Sequence, residues 1–175
     1  MNTANKLTML RILMIPVFLV VLYLDFPCNR YVALAVFILA SATDFVDGHI
    51  ARSRGLITDF GKFMDPLADK MLVMAAMLWF VEVGRMPAWT LLIVVVREFA
   101  VSGLRLIAAD NGRVIAAAWS GKVKTASTMV GICLMLLPVP HMVDVVVTAV
   151  IIITTVYSGV EYFVKNKDVI DWSRL

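Results

Sequence analysis

The chain has 175 residues, of which 61% are hydrophobic and only 17% charged, and its formal net charge is +3. Soluble domains are roughly half apolar and about a quarter charged, so this composition excludes an ordinary soluble protein and indicates an integral membrane protein. At roughly 20 apolar residues per crossing, the length holds about six spans and little else. We therefore expect an all-α polytopic protein in which residues 1–175 form a single membrane domain.

Apolar runs follow one another along the chain, separated by short polar or turn-forming segments. After a polar start at Met1–Arg11, the predicted spans are Ile12–Leu24, Tyr31–Thr43 continuing into the stretch after it, Met71–Val83, Ala88–Ala109, Thr125–Leu137 and Met142–Val164. Proline and glycine interrupt helices, and they mark three tight turns at Pro27, Gly84–Pro87 and Pro138–Pro140. The pattern predicts six transmembrane helices.

The basic residues of the loops are unevenly distributed between the two ends of these spans. The three tight turns carry Arg30 and Arg85 as their only basic residues. The other loops and tails contain Lys6, Arg11, Arg52, Arg54, Lys62, Arg113, Lys122, Lys124, Lys165, Lys167 and Arg174. Because cytoplasmic loops carry an excess of lysine and arginine, we predict a cytoplasmic (inner) membrane protein with both termini inside. The cytoplasmic loops then account for the net positive charge, so we expect no nucleic acid as a partner. Membrane lipids should surround the protein.

Four carboxylates lie in the stretch between the second and third apolar runs. Asp44 and Asp47 are three residues apart, and Asp65 and Asp69 are four apart, so each pair projects from one face of a helix. Aspartate oxygens are hard ligands that suit Mg²⁺, Mn²⁺ or Ca²⁺. Two pairs on adjacent helices could hold two ions a few Å apart, an arrangement that clamps a transferring phosphoryl group. The stretch predicts two-metal phosphoryl chemistry at the cytoplasmic membrane surface.

Small and basic residues accompany the two carboxylate pairs. Gly48 would let a ligand approach the helix backbone closely, and the guanidinium of Arg52 could hold a phosphate. Gly61 and Lys62 repeat this combination before the second pair. The alternative is that the aspartates are helix caps or partners of nearby basic residues. Ionisable groups in membrane spans are costly and usually functional, which favours the binding site.

The full spacing of this stretch resembles a known signature. The pattern is Asp44-x2-Asp47-Gly48-x2-Ala51-Arg52-x8-Gly61-x3-Asp65-x3-Asp69, and it is similar to the signature of the CDP-alcohol phosphotransferase family. The resemblance implies a six-span membrane enzyme that works as a homodimer. It also implies transfer of a phosphatidyl group from a CDP-linked lipid, CDP-diacylglycerol, to an alcohol, with release of CMP.

The resemblance also implies roles for individual residues. The ligands of two divalent ions, Mg²⁺ or Mn²⁺, would be Asp44, Asp47, Asp65 and Asp69, and Asp69 would also be the catalytic base that takes the acceptor hydroxyl proton. The positions around the cytidine diphosphate would be Gly48, Arg52, Thr58 and Gly61. The polar start resembles the family's short N-terminal interfacial helix, in which Asn5 and Thr8 would also bind the nucleotide. Its other interpretation is an ordinary polar helix start with a basic topology signal.

A second polar stretch concerns the acceptor alcohol. Arg97, Glu98 and Arg105 lie inside an otherwise apolar span, so we expect them to point into the helix bundle or a wet cavity. Arg97 and Arg105, together with Lys122 and Lys124, could form a pocket for a phosphate on the acceptor. These runs resemble the family members that use glycerol 3-phosphate. The alternative is a structural ion pair between Glu98 and Arg105, with the two lysines acting as a topology signal.

Two rival functions remain at this point. Within the family, the acceptor could be a different phosphorylated alcohol, such as inositol phosphate, because the metal and nucleotide signature is shared. From a different class, a cation transporter would also place carboxylates in a membrane span. A transporter would place them near the middle of the membrane, whereas here they cluster at one boundary beside Arg52 and Lys62.

Overall fold

A computed structural model describes residues 3–54, 59–116 and 118–169 of the chain. The described part is helical, and it contains no strand. Its α-helices are α1 (Thr3–Tyr23), α2 (Asn29–Arg54), α3 (Asp59–Glu82), α4 (Ala88–Asp110), α5 (Trp119–Leu136) and α6 (His141–Lys165), followed by a 3₁₀ helix at Lys167–Val169. The predicted all-α class is confirmed.

Helix ends coincide with the proline and glycine positions singled out in the sequence. Pro87 and Pro140 are the residues immediately before α4 and α6, and both have extended backbone angles. A proline tolerates this place because its missing N–H would have no partner within the helix. Gly84 has a φ of 72°, a left-handed conformation that glycine adopts without strain, and it follows the end of α3.

The N-terminal segment differs from the prediction. We expected a short interfacial helix before a separate first span, but α1 is one continuous helix with Pro16 inside it. A single buried stripe explains the continuity: its members, at alternating spacings of three and four, are Thr8, Arg11, Ile15, Phe18 and Leu22. The polar start and the apolar run therefore share one packed face.

Among the described residues, α6 combines enough length and apolar character to cross a membrane. Two other apolar helical stretches, Thr8–Tyr23 and Asn29–Thr43, are shorter. The large apolar side chains that are exposed on α4 and α6 include Leu92, Val96, Phe99, Ile153, Tyr157 and Val160. Such surfaces suit a lipid environment.

The chain divides into two compact units. The first comprises Met1–Val83 and Ile132–Val139, and within it α1 packs against both α2 and α3. The rings of Phe18 and Phe37 lie 5.8 Å apart between α1 and α2. The hydroxyl of Tyr23 donates a hydrogen bond to Glu82, which joins the ends of α1 and α3.

The second unit comprises Gly84–Gly131 and Pro140–Leu175. Within it α4 packs against α6 and the 3₁₀ helix. Its buried apolar cluster consists of Val101, Leu104, Ala108, Tyr162 and Val169. At the opposite ends of these helices, Arg85 donates two hydrogen bonds to Asp144, at 2.9 and 2.6 Å.

Candidate functional site

The four signature aspartates lie on two neighbouring helices of the first unit. Asp44 and Asp47 belong to α2, and Asp65 and Asp69 belong to α3. Asp69 is half-buried. The other predicted site residues lie wholly or partly outside the described part of the chain. Outside it are the side chains of Asn5, Asp44, Asp47, Arg52 and Asp65, the surroundings of Gly48 and Gly61, and the whole of Thr58.

Helix register relates the aspartate positions to the packed core. On α2 the buried residues Ala33, Phe37 and Ala40 are spaced by four and three, and positions 44 and 47 continue that spacing. On α3 the positions 65 and 69 precede the buried Leu72 and Ala76 with the same spacing. The signature positions therefore extend the core-forming registers of both helices at one end of this unit.

The contact between α1 and α2 indicates which residues of α1 lie at the same height along the helices as the aspartate positions. Phe18 meets Phe37 between α1 and α2, which run in opposite directions. Arg11 lies seven residues before Phe18, and Asp44 lies seven residues after Phe37. At a rise of about 1.5 Å per residue, both lie roughly 10 Å from the aromatic pair in the same direction. We therefore expect Arg11 and Asp44 to lie at similar levels of the unit.

The pairing of α1 with α3 gives the same result for the second aspartate pair. Tyr23 contacts Glu82, so the C-terminal ends of α1 and α3 lie together. Arg11 lies twelve residues before Tyr23, and Asp69 lies thirteen residues before Glu82. These offsets differ by a single residue, or about 1.5 Å of helix rise. By the same reasoning we expect Asp69 at about this level.

Two polar side chains of α1 are buried at this end of the unit. Thr8 is 1% exposed and Arg11 is 0% exposed. Thr8 was predicted from the resemblance to bind the nucleotide, and its burial places it in the packed end of the unit. Arg11 was predicted only as part of the polar, basic start of the chain, although its place in the 3–4 stripe of α1 indicated burial. A guanidinium stays charged, so its burial requires compensation by polar or anionic groups.

The chemistry of the aspartate set fits a pair of hard divalent cations. Four carboxylates supply oxygen ligands, which Mg²⁺ and Mn²⁺ prefer. The two helices that carry them lie in one packed unit, each with a pair at a spacing of three or four residues. The described side chains alone contain no group of three or more potential ligands, because three of the four aspartate side chains lie outside them.

In the second unit, two of the four predicted acceptor residues share one carboxylate. Glu98 on α4 accepts a hydrogen bond from Arg97 at 2.9 Å and one from Lys124 on α5 at 2.6 Å. Lys124 is only 5% exposed. Two cations and one carboxylate leave this cluster with a net charge of about +1, which is suited to an anionic ligand.

The side chain of Arg97 passes beside two glycines of other helices. A Cβ added at Gly159 would lie 3.2 Å from Cγ of Arg97, and a Cβ at Gly121 would lie 3.6 Å from its Nη2. The Nε of Arg97 is buried and has no hydrogen-bond partner among the described residues. The arginine therefore lies in a narrow slot and retains an N–H group for a ligand.

Arg105 belongs to a separate cluster. Its Nε donates a hydrogen bond to the hydroxyl of Tyr162 at 2.8 Å, and its guanidinium carbon lies 5.4 Å from the centre of the Tyr162 ring. The alternative prediction, an ion pair between Glu98 and Arg105, is wrong. Arg105 contacts Tyr162, and Glu98 pairs with Arg97 and Lys124. Lys122 is exposed, so the structure does not bring it together with the buried Lys124.

A cavity of about 330 Å³ lies next to Tyr162. Its polar lining comprises Arg113, Tyr162, Lys165 and Asn166. Arg113 also pairs with Asp168 at 2.9 Å, and its hydrogen bond holds the pKa of that carboxyl below its usual range. Tyr162 and Arg113 were not predicted as site residues, because a tyrosine in an apolar run and a loop arginine have no distinctive spacing.

Comparison with known proteins bears on both sites. A family model described as CDP-alcohol phosphatidyltransferase matches residues 1–158. The chain is 39% identical to a Bacillus subtilis protein named CDP-diacylglycerol–glycerol-3-phosphate 3-phosphatidyltransferase, over 94% of this chain and 95% of that protein. It is 42% identical to a probable phosphatidylglycerophosphate synthase of Mycobacterium tuberculosis, over 94% of this chain and 81% of the relative. A Salmonella paratyphi A protein with the same name as the Bacillus relative is 39% identical over 77% of this chain and 76% of its own.

Proposed function

The chain belongs to the CDP-alcohol phosphatidyltransferase family, and we propose that it transfers the phosphatidyl group of CDP-diacylglycerol to glycerol 3-phosphate, giving phosphatidylglycerophosphate and CMP. The observation that carries this proposal is the set of four aspartates on α2 and α3, which extend the packed registers of one unit. Relatives that match nearly the whole chain are named for this acceptor, which supports glycerol 3-phosphate.

The reaction needs a group to receive a proton and groups to hold the diphosphate. The acceptor hydroxyl oxygen attacks the lipid-linked phosphorus, the bond from that phosphorus to the CMP oxygen breaks, and CMP leaves. Asp69 takes the hydroxyl proton, a role that suits a half-buried carboxylate at the aspartate end of its unit. Two Mg²⁺ or Mn²⁺ ions held by Asp44, Asp47, Asp65 and Asp69 would, when bound, offset the negative charge of the diphosphate and the leaving CMP.

The nucleotide is held by residues of the same unit. In this proposal Gly48 and Gly61 allow the nucleotide to approach the helix backbone, and Arg52 binds a phosphate. Thr58 lies between them in the sequence and contributes to the same site. Asn5 and Thr8 complete it from the start of α1.

The acceptor phosphate is bound by the second unit. The cluster of Arg97, Glu98 and Lys124 has a net positive charge, and Arg105 supplies a further guanidinium. Such groups favour a phosphorylated alcohol over an uncharged one. Lys122, which is exposed, contributes to this positive charge and attracts the anion from solution.

The protein works in the membrane as one domain of residues 1–175, with six crossings and both termini on the cytoplasmic side. The tight turns between the described helices and the exposed apolar side chains of α4 and α6 support this arrangement. The active site then faces the cytoplasm, where the polar substrates are dissolved, while the lipid tails remain in the bilayer. We also propose a homodimer, and the molecular mass in detergent measured by light scattering tests it.

An acceptor panel tests the proposed reaction. The purified protein is given CDP-diacylglycerol, Mg²⁺ and one acceptor at a time, and released CMP is measured. We expect glycerol 3-phosphate to support turnover, and inositol phosphate, serine and glycerol to support little. Preferred use of inositol phosphate would reassign the acceptor and retain the chemistry. Cation flux in liposomes without CMP release would instead favour a transporter.

A further inference from the structure

We infer that Tyr162 is a positioning residue for the acceptor phosphate, because it fixes the guanidinium of Arg105 without neutralising it. The inference rests on the proposed function, in which Arg105 binds that phosphate. Tyr162 lies on α6, 57 residues from Arg105 in the sequence, and nothing in the signature stretch points to it.

The tyrosine itself is held firmly. Tyr162 is 2% exposed, and its ring belongs to the apolar cluster that includes Val101, Leu104 and Val169. A ring packed on several sides has one orientation available, so its hydroxyl occupies a fixed place. That hydroxyl accepts from Nε of Arg105 at 2.8 Å.

The other partner is exposed, which makes the contact unusual. Arg105 is exposed to solvent, where a free arginine side chain samples many rotamers and loses conformational entropy when a ligand orders it. The hydrogen bond to Tyr162 and the contact with its ring already restrict that side chain. The guanidinium is therefore partly ordered before the phosphate arrives.

The contact of Arg105 with Tyr162 uses Nε and leaves the two Nη groups of the guanidinium available for a phosphate. Nε is occupied by the tyrosine, while the two Nη groups provide the parallel donors that grip a phosphate in a bidentate manner. Among the described residues, Arg105 forms no ion pair with a carboxylate. A neutral phenol orients the arginine and keeps its full charge, whereas Arg97 and Lys124 share the charge of Glu98.

The test replaces Tyr162 with phenylalanine, which removes the hydroxyl and keeps the ring in its apolar cluster. We expect the KM for glycerol 3-phosphate to rise roughly three- to tenfold, the size of effect that the net contribution of one ordinary hydrogen bond gives. We expect kcat and the KM for CDP-diacylglycerol to stay within about twofold. Tyr157→Phe is the matched control: this tyrosine lies on the same helix but is 66% exposed, and all three constants should be unchanged.

A double-mutant cycle assigns the effect to Arg105. Arg105→Ala alone should raise the KM for glycerol 3-phosphate, and adding Tyr162→Phe to it should have no further effect. Independent, multiplicative effects of the two substitutions would overturn the positioning role. So would an unchanged KM in Tyr162→Phe when Arg105→Ala has a clear effect, and in that case the proposed function stands. No effect of either variant would remove both the positioning role and the acceptor role of Arg105.

A second variant keeps the test decisive if Tyr162→Phe does not accumulate in the membrane. Arg105→Lys retains the positive charge and loses the Nε donor to the tyrosine. We expect it to raise the KM for glycerol 3-phosphate as Tyr162→Phe does. A wild-type KM in Arg105→Lys would show that charge alone is sufficient and would overturn the inference.

Discussion

Nζ of Lys124 lies 2.6 Å from the carboxylate of Glu98, which also pairs with Arg97 on its own helix. This contact joins α5 to α4 and separates Lys124 from Lys122, which is only two residues away and exposed. The pair of lysines that looked equivalent in the sequence therefore has two different environments.

The two lysines should respond differently to substitution. Lys124→Ala removes a buried cation, so we expect the KM for glycerol 3-phosphate to rise at least several-fold, with a smaller change for CDP-diacylglycerol. Lys122→Ala removes an exposed charge and should change either KM by less than about twofold, since exposed ion contacts contribute little. Steady-state kinetics with each substrate varied in turn measures this difference, and equal effects of the two substitutions would contradict the assignment.

Gly159 should be needed to accommodate Arg97. A Cβ at this position would lie 3.2 Å from Cγ of Arg97, whereas a Cβ at Gly103 would meet nothing within 4 Å. Gly159→Ala should displace the arginine and raise the KM for glycerol 3-phosphate. Gly103→Ala should leave the kinetics unchanged and stabilise the protein by about 0.5–1 kcal/mol, the usual gain for alanine over glycine in a helix. A normal KM in Gly159→Ala would show that the slot does not position Arg97.

The pair of Arg85 and Asp144 should contribute to stability and not to catalysis. Both side chains are largely buried, with relative exposures of 13% and 4%. Replacing Arg85 with methionine leaves the carboxylate without this partner, and breaking a buried pair in this way costs about 3–5 kcal/mol. We expect a lower thermal unfolding temperature in detergent with unchanged KM values.

The exposed pair of Arg113 and Asp168 provides a control for that experiment. Its side chains are 56% and 59% exposed, so solvent screens the attraction and Asp168→Asn should hardly change the unfolding temperature. Similar losses from Arg85→Met and Asp168→Asn would show that burial does not decide the contribution of these pairs.

Arg11 should couple to the divalent metal through protein stability. It is fully buried, and helix rise predicts that it lies level with the aspartates of α2 and α3. In the proposed metal site its charge offsets part of theirs, so its removal should increase their mutual repulsion. Arg11→Met should therefore be destabilised most in chelator, and saturating Mg²⁺ should raise its unfolding temperature more than that of the wild type.

The control for Arg11 is another arginine of the same unit. Arg30 lies over the ring of Trp79 at 5.8 Å, at the opposite ends of the helices from the aspartates. Arg30→Met should gain no more from Mg²⁺ than the wild type does. If Mg²⁺ raised the unfolding temperatures of Arg11→Met and Arg30→Met equally, Arg11 would not be coupled to the metal site.

Local chemistry explains which features the sequence could predict. Pro87 and Pro140 precede helices because proline fits there, and the spacing of Asp65 and Asp69 defines one helix face wherever the helix lies. The continuity of α1 was missed because the buried stripe through Arg11 depends on packing against α2 and α3. The partners of Glu98 and Arg105 were missed for a related reason, since Lys124 and Tyr162 come from helices 26 and 57 residues away.

In the proposed reaction, the aspartate site transfers a phosphatidyl group to glycerol 3-phosphate. The most direct measurement supplies labelled glycerol 3-phosphate and CDP-diacylglycerol to the purified protein and counts label in the lipid fraction together with CMP. We expect one labelled lipid per CMP in the wild type with Mg²⁺, and neither product in chelator or in a folded Asp69→Asn variant. Equal lipid labelling in excess chelator, or CMP released without labelled lipid, would contradict it.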